Sequence, residues 1–280
     1  MAEITASMVM ELRQKTGAKM MDAKRALVEA DGDFERATDL LRERGLADAS
    51  KRAHRAAAEG TIAAAQTDDH SAAALVEVNC ETDFVAKTDQ FRMLATELAG
   101  WALASGAETV DPEAIPADKQ DDIKQAVSKT GENIMFRRGI KLASGNGVVE
   151  YYIHLGGKIG VLVQVDGANN DTVRSLAKDL AMQVAAASPD YLSREDVPQD
   201  IVEREMEIYR TQGRNEGKKE EFLDKIATGR LEKFFKDNCL IEQAYIKDPD
   251  KQVKALVAEV AKEAGAELAV KRFVRMQLGQ

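Results

Sequence analysis

At 280 residues, with 44% hydrophobic and 31% charged side chains, the chain is long enough for several folded units and too apolar for a disordered segment. A formal net charge of −9 argues against a nucleic-acid backbone as main partner, which needs a basic footprint, and favours a protein. Cys80 and Cys239 lack zinc or redox spacing, the N-terminus has no basic start followed by an apolar stretch, and no run reaches about eighteen apolar residues. A cytoplasmic chain, neither exported nor membrane-spanning, is expected.

Residues 1–45 read as three short amphipathic helices. Val9 and Leu12, then Ala23, Ala26 and Leu27, then Phe34, Ala37, Leu40 and Leu41 recur at helical spacing. Breaks fall at Thr16-Gly17 and at Asp31-Gly32-Asp33, which carry turn and cap chemistry. A unit of about forty residues buries little surface, so its exposed apolar positions are candidate partner contacts. Met20 and Met21 are placed in its first loop. Residues 46–59, rich in Ala, Lys and Arg without an apolar stripe, are expected to be a linking helix or hinge. Lys51, Arg52 and Arg55 read there as a solvated helix face.

From residue 60 the period changes. Residues 61–65 and 74–78 look like paired strands, followed by a helix with Phe91, Leu94, Ala95, Leu98, Trp101 and Ala102 on one face. The same grammar returns in strands at 134–143, 148–154 and 159–165, followed by Val173, Leu176, Ala177, Leu180 and Val184 on a helix face. The expected fold is therefore α+β, with two related lobes of antiparallel sheet, residues 60–144 and 145–198, each carrying helices on one side. Residues 199–236 read as an antiparallel helical hairpin turning at 213–217, and residues 237–280 as a helix and strand that complete the core.

No enzymatic constellation is legible. The stretch from Gly213 to Lys219 has too short a spacing for a phosphate loop and lacks the hydroxyl that would hold magnesium. Gly156, Gly157 and Gly160 lie between two strands and read as a hairpin turn, not a dinucleotide site. His54, His70 and His154 have no metal-ligand spacing, and the carboxylates are scattered, so neither metal nor cofactor nor catalysis is expected.

One segment stands out, Thr82-Asp83-Phe84-Val85, on a connection between a strand and a helix. An aromatic beside an acid can probe a partner's pocket while competing for a cation. Taken alone, the same residues read as a helix cap at Asp83 and a core anchor at Phe84. Cys80 reads as a buried, inert thiol, and His154 as a satisfied surface histidine.

Two longer stretches carry a family resemblance: Leu12-Arg-Gln-Lys-Thr-Gly-Ala-Lys-Met-Met-Asp-Ala-Lys-Arg-Ala-Leu27, and Glu77-Val-Asn-Cys-Glu-Thr-Asp-Phe-Val-Ala-Lys87. With supporting matches at His154, residues 156–163 and Gly229-Arg230, the chain resembles bacterial translation elongation factor Ts over nearly its whole length. The resemblance implies a UBA-like N-terminal domain and a non-enzymatic exchange factor for the GTPase elongation factor Tu. It implies that Thr82, Asp83, Phe84 and Val85 enter the GTPase domain and dislodge its Mg2+, and that His154 lies near the same contact. Met20 and Met21 would touch the GTPase domain, and the second lobe would grip the partner's C-terminal domain. The chain departs from the family at Lys19, where a small residue is usual, and at its C-terminal end. An adaptor that only tethers two proteins is the alternative, and it would leave the nucleotide off-rate unchanged.

Overall fold

The computed structural model describes residues 4–52 and 54–280. Three helices come first: α1 (Ala6–Thr16), α2 (Met20–Glu29) and α3 (Phe34–Arg52). The Thr5 hydroxyl caps α1 by accepting from the Met8 amide, and Gly17, at φ 71°, ends it in the left-handed conformation that glycine adopts without strain. Val9, Leu12, Ala23, Ala26, Leu27 and Ala37 form a small shared core. Two expectations are corrected. Met20 and Met21 lie in the first turn of α2 instead of a loop, and α3 continues past residue 45 without a break, so residues 46–52 are helical.

The next stretch builds one sheet. β1 (Glu59–Gln66) and β2 (Ala72–Cys80) lead into α4 (Asp83–Ala86) and α5 (Asp89–Ala104), then β3 (Thr109–Val110), α6 (Ala117–Thr130) and β4 (Ile134–Ala143). The strands pair antiparallel in the order β1-β2-β4-β3, so β4, grouped by sequence pattern with the later strands, belongs to the first sheet. A second sheet follows, with β5 (Gly147–His154) and β6 (Ile159–Asp166), then α7 (Asp171–Ala187), α8 (Gln199–Asn215) and α9 (Glu220–Asn238). After these come β7 (Ala244–Tyr245), β8 (Asp248–Gln252), α10 (Val253–Ala264) and β9 (Ala269–Gln277). Its order is β5-β6-β9. Each sheet is a hairpin whose second strand takes a later strand along its free edge, β4 on β2 and β9 on β6.

Every residue of β2 is buried because both of its faces are covered. Ala74, Val76, Val78 and Cys80 meet Phe91, Leu94 and Leu98 of α5. The alternate residues Ala73 and Leu75 meet Val149, Leu162 and Met276 of the second sheet. On the far side, Val161, Val163 and Val165 of β6 pack on Val173, Leu176 and Leu180 of α7. The two sheets thus lie face to face with helices on their outer faces, and period-2 alternation places each side chain in its layer.

The sheet contact needs close approach. A Cβ on Gly160 would stand 2.5 Å from Ile62 Cγ2, and one on Gly157 would stand 1.9 Å from Thr61 Oγ1. Gly160 is therefore a packing residue inside β6, not part of the turn.

Along α8 and α9, Arg214 pairs with Glu220 beside the connection and Arg210 with Asp224 farther along. The turn expected at 213–217 is shorter: Gly213 is helical and buried, and a Cβ there would meet Leu223 Cδ2 at 2.8 Å. Sequence periodicity missed α6, whose fully buried side chain is Val127, and the charged β7–β8 pair. Among the described residues no helix is long and apolar enough to cross a membrane.

Candidate functional site

β2 ends at the buried Cys80, whose Sγ donates to the Thr82 carbonyl at 3.1 Å. Glu81 then accepts from the Asn133 amide at 2.7 Å, and Thr82 is held by Glu132 through its backbone amide, at 3.0 Å, and its hydroxyl, at 2.7 Å. With its hydroxyl also turned toward the Val85 amide, Thr82 is the N-cap of α4, a single turn where the sequence suggested a loop. Thr88 caps α5 in the same way two residues after α4 ends.

One turn of helix sorts its residues by side. Ala86 is buried and Val85 packs against the α5 core, so Asp83 and Phe84 face outward. Phe84 is 80% exposed, the highest value for a large apolar side chain among the described residues. Neither part of the structural alternative holds: the cap is Thr82, not Asp83, and Phe84 anchors no core. An aromatic ring so exposed gains nothing for the isolated fold, since its apolar area stays in water.

Lys87 Nζ donates to Asp83 Oδ2 at 2.6 Å, one helical turn along. That bond, with the charges of Lys87 and Lys158, holds the Asp83 carboxyl below the usual carboxylate range against a smaller opposing effect of burial. Asp83 is thus an anion at neutral pH, on the same exposed edge as the ring.

Lys158 comes from the β5–β6 turn, close enough for its charge to act on Asp83, while its Nζ donates to Glu59 of β1 at 2.6 Å. The turn is tied to β1 by the Ile62 amide, which donates to the Gly157 carbonyl at 2.7 Å. His154 ends β5 at the base of the turn, half-buried, with Nδ1 3.0 Å from the Tyr152 hydroxyl. Leu155 follows it, 68% exposed and at φ 49°, an uncommon backbone conformation for a branched side chain.

The sequence-chosen residues therefore divide. Thr82, Asp83, Phe84 and Val85 share one turn near the loop that carries His154. Met20, 43% exposed, and Met21, 63% exposed, belong to the N-terminal helices. Sequence reasoning missed Glu132, Lys158 and Leu155. Lys87, four residues after Asp83, was legible as an i,i+4 pair, whereas Glu132 approaches Thr82 only through the fold.

Cys80 is buried, and burial pushes its thiol up to about 11, as it does for Cys239. Among the described residues no three His, Cys, Asp or Glu side chains gather as metal ligands.

The family model for elongation factor TS matches residues 81–280, a span that contains α4, Glu132 and the His154 turn. The chain is 46% identical over 283 residues to elongation factor Ts of Clostridium botulinum (strain Alaska E43 / Type E3), covering 99% of this chain and 93% of that protein. It is 47% identical over 286 residues to elongation factor Ts of Clostridioides difficile (strain 630), covering 100% and 94%. Against elongation factor Ts of Trichlorobacter lovleyi it is 45% identical over 289 residues, covering 99% and 93%. With a family model spanning more than half of its residues and relatives aligned almost end to end, the chain belongs to the elongation factor Ts family.

Proposed function

We propose that this protein is a guanine nucleotide exchange factor for elongation factor Tu, and that α4 is the part that acts on the nucleotide site. The observation that carries it is the 80% exposed Phe84 on a turn fixed at Thr82 by Glu132. A ring that stabilises nothing in its own fold is available to fill an apolar pocket on a partner. Asp83, ionised beside it, competes for the donors or the cation that hold GDP phosphates, and displacing Mg2+ weakens that hold.

Thr82 and Val85 set the turn, while Asp83 and Phe84 meet the GTPase. His154, on the neighbouring turn, borders the same contact, and Met20 and Met21 make a second contact from the N-terminal helices, which we take as a UBA-like unit. The remaining parts are a first lobe, residues 60–144, a second lobe, residues 145–198, completed by residues 237–280, and a projecting helical hairpin formed by α8 and α9. No chemical bond changes, so the protein is not an enzyme, and it works in the cytoplasm without a direct nucleic-acid contact.

By linkage, a factor that favours the nucleotide-free GTPase binds the GDP-loaded form less well, and nucleotide reciprocally expels it. A ten-thousandfold acceleration of release requires the barrier to fall by about 5.5 kcal/mol, more than one ring supplies, so the rest comes from the wider interface. Stopped-flow release of fluorescent GDP from elongation factor Tu tests the proposal. The double variant Asp83→Ala/Phe84→Ala should keep the native melting profile yet slow release by about a hundredfold, roughly 2.7 kcal/mol. Unaltered release kinetics would remove α4 from the mechanism, and no acceleration by the unmodified chain would favour the adaptor.

A further inference from the structure

A cavity of about 1000 Å³ opens between the N-terminal helices and α6. Its charge runs against that of the molecule. Among the described residues that line it, nine are Lys or Arg and three are Asp or Glu, in a chain whose net charge is −9. The three carboxylates are already matched: Asp22 by Arg25, Glu29 by Arg44, and Asp121 by Lys124 at 3.2 Å and Arg42 at 3.5 Å. No carboxylate pairs with Lys15, Lys19, Lys24 or Lys129 among the described residues.

Two of these lysines cross the cavity reciprocally. Lys129, in the last turn of α6, lays its side chain over Gly17 at the end of α1, 3.3 Å from where a Cβ would stand. Lys19, from the N-terminal helices, brings Nζ within 3.3 Å of the equivalent point on Gly131, which caps α6. Lys19 is also the N-cap residue of α2, but it makes no side-chain cap bond there, and its Nζ lies instead at the C-terminal end of α6, where helix carbonyls favour a cation. The four lysines are solvent-exposed, and like charges gathered around one concave surface focus a positive potential that an anion relieves.

We propose that this cavity binds a small phosphate-bearing anion, an inorganic or nucleoside polyphosphate, with Lys19 and Lys129 closing on it from opposite walls. The size is that of a small-molecule site. A nucleic-acid backbone fits less well, because the cations are grouped around one recess in a chain of net charge −9, whereas a polymer needs a basic track. The proposal does not depend on the exchange activity, and its test contains no GTPase.

Isothermal titration calorimetry of the full chain, at about 0.15 M salt to screen loose surface attraction, would use tripolyphosphate, GTP and ATP as separate probes. Saturable one-to-one binding is expected. Equal affinities would show that the phosphate chain is recognised, and tighter binding of GTP or ATP would show that the nucleoside contributes. Lys19→Ala/Lys129→Ala should weaken binding about tenfold or more, while Lys19→Arg/Lys129→Arg should retain it. Should the first variant melt abnormally, Lys15→Ala/Lys24→Ala should weaken the same binding. Absence of saturable binding by all three probes would overturn the proposal. So would unchanged affinity in the folded Ala variants, or tighter binding of single-stranded oligonucleotides that grows with their length.

Discussion

Glu132 holds Thr82 with both carboxylate oxygens, taking its amide at 3.0 Å and its hydroxyl at 2.7 Å. The residue that starts α4 is thereby fixed from the connection between α6 and β4, fifty positions along the chain. Phe84 is held out by an anchor that does not itself touch the exposed edge.

Replacing that anchor separates positioning from contact. Glu132→Ala should cost about 1–2 kcal/mol of stability, the worth of hydrogen bonds to a charged acceptor at a partly exposed site. It should also slow GDP release by roughly three- to tenfold, because α4 is less well oriented. Urea unfolding and stopped-flow release measure the two effects, and a stability loss with unchanged release would show that α4 holds its orientation without Glu132.

Glu77 is the buried charge between the sheets. Its carboxylate is fully buried, with Arg137 at 3.0 Å, Arg138 at 2.8 Å and the Gly279 amide at 2.9 Å. Burial alone would raise its pKa, but the Gly279 amide and the two guanidinium groups outweigh that, leaving it lower than the ordinary 4.5. Because the folded value lies below the unfolded one, the stabilisation is complete above the unfolded pKa and is lost as pH falls through the folded value. Glu77→Gln should therefore flatten the decline in melting temperature below about pH 4.5, and should cost about 2–3 kcal/mol at pH 7 by leaving the arginines unmatched. Parallel acid denaturation curves for the two proteins would contradict this.

Gly156 and Gly157 are adjacent and both lie at positive φ, 64° and 98°, but their surroundings differ. A Cβ on Gly156 meets open space, whereas one on Gly157 collides with Thr61. Gly156→Ala should cost about 1 kcal/mol from backbone conformation. Gly157→Ala should cost a further 1–3 kcal/mol, approximately, because the β5–β6 turn is pushed off β1. Thermal melts of the two variants check the order.

Cys80 and Cys239 should both be silent toward a disulfide reagent in the native protein at pH 8. Each is buried, with its thiol pushed up to about 11. Both should react once urea exposes them, and rapid labelling of either under native conditions would mean that its part of the core opens locally.

Helical spacing in the sequence located the N-terminal helices, α5, α7 and α10, because a helix that buries one face must repeat its apolar residues every three or four positions. Most of the strands were legible as short apolar, often β-branched runs bounded by turn residues, because a strand covered on both faces is apolar along its length. α6 was not, since Ile123, Ala126 and Val127 make an apolar stripe of little more than one turn in an otherwise polar segment, and Met20 and Met21 were misplaced because Lys19 is an unusual residue to begin a helix. The motif from Glu77 to Lys87 marked the candidate site, yet its chemistry stayed ambiguous: an aromatic after a short polar pair serves equally well as core or as probe.

By itself the sequence determined the α+β class, the family and the segment to examine, all of which rest on local pattern and residue identity. Only the tertiary structure decided that Phe84 faces solvent, that Glu132 and Lys158 flank its turn, and that cations from α2 and α6 meet across one cavity. Those relationships join residues far apart in the chain, and their distances are set by how the sheets and helices pack, which spacing along a single strand or helix does not encode.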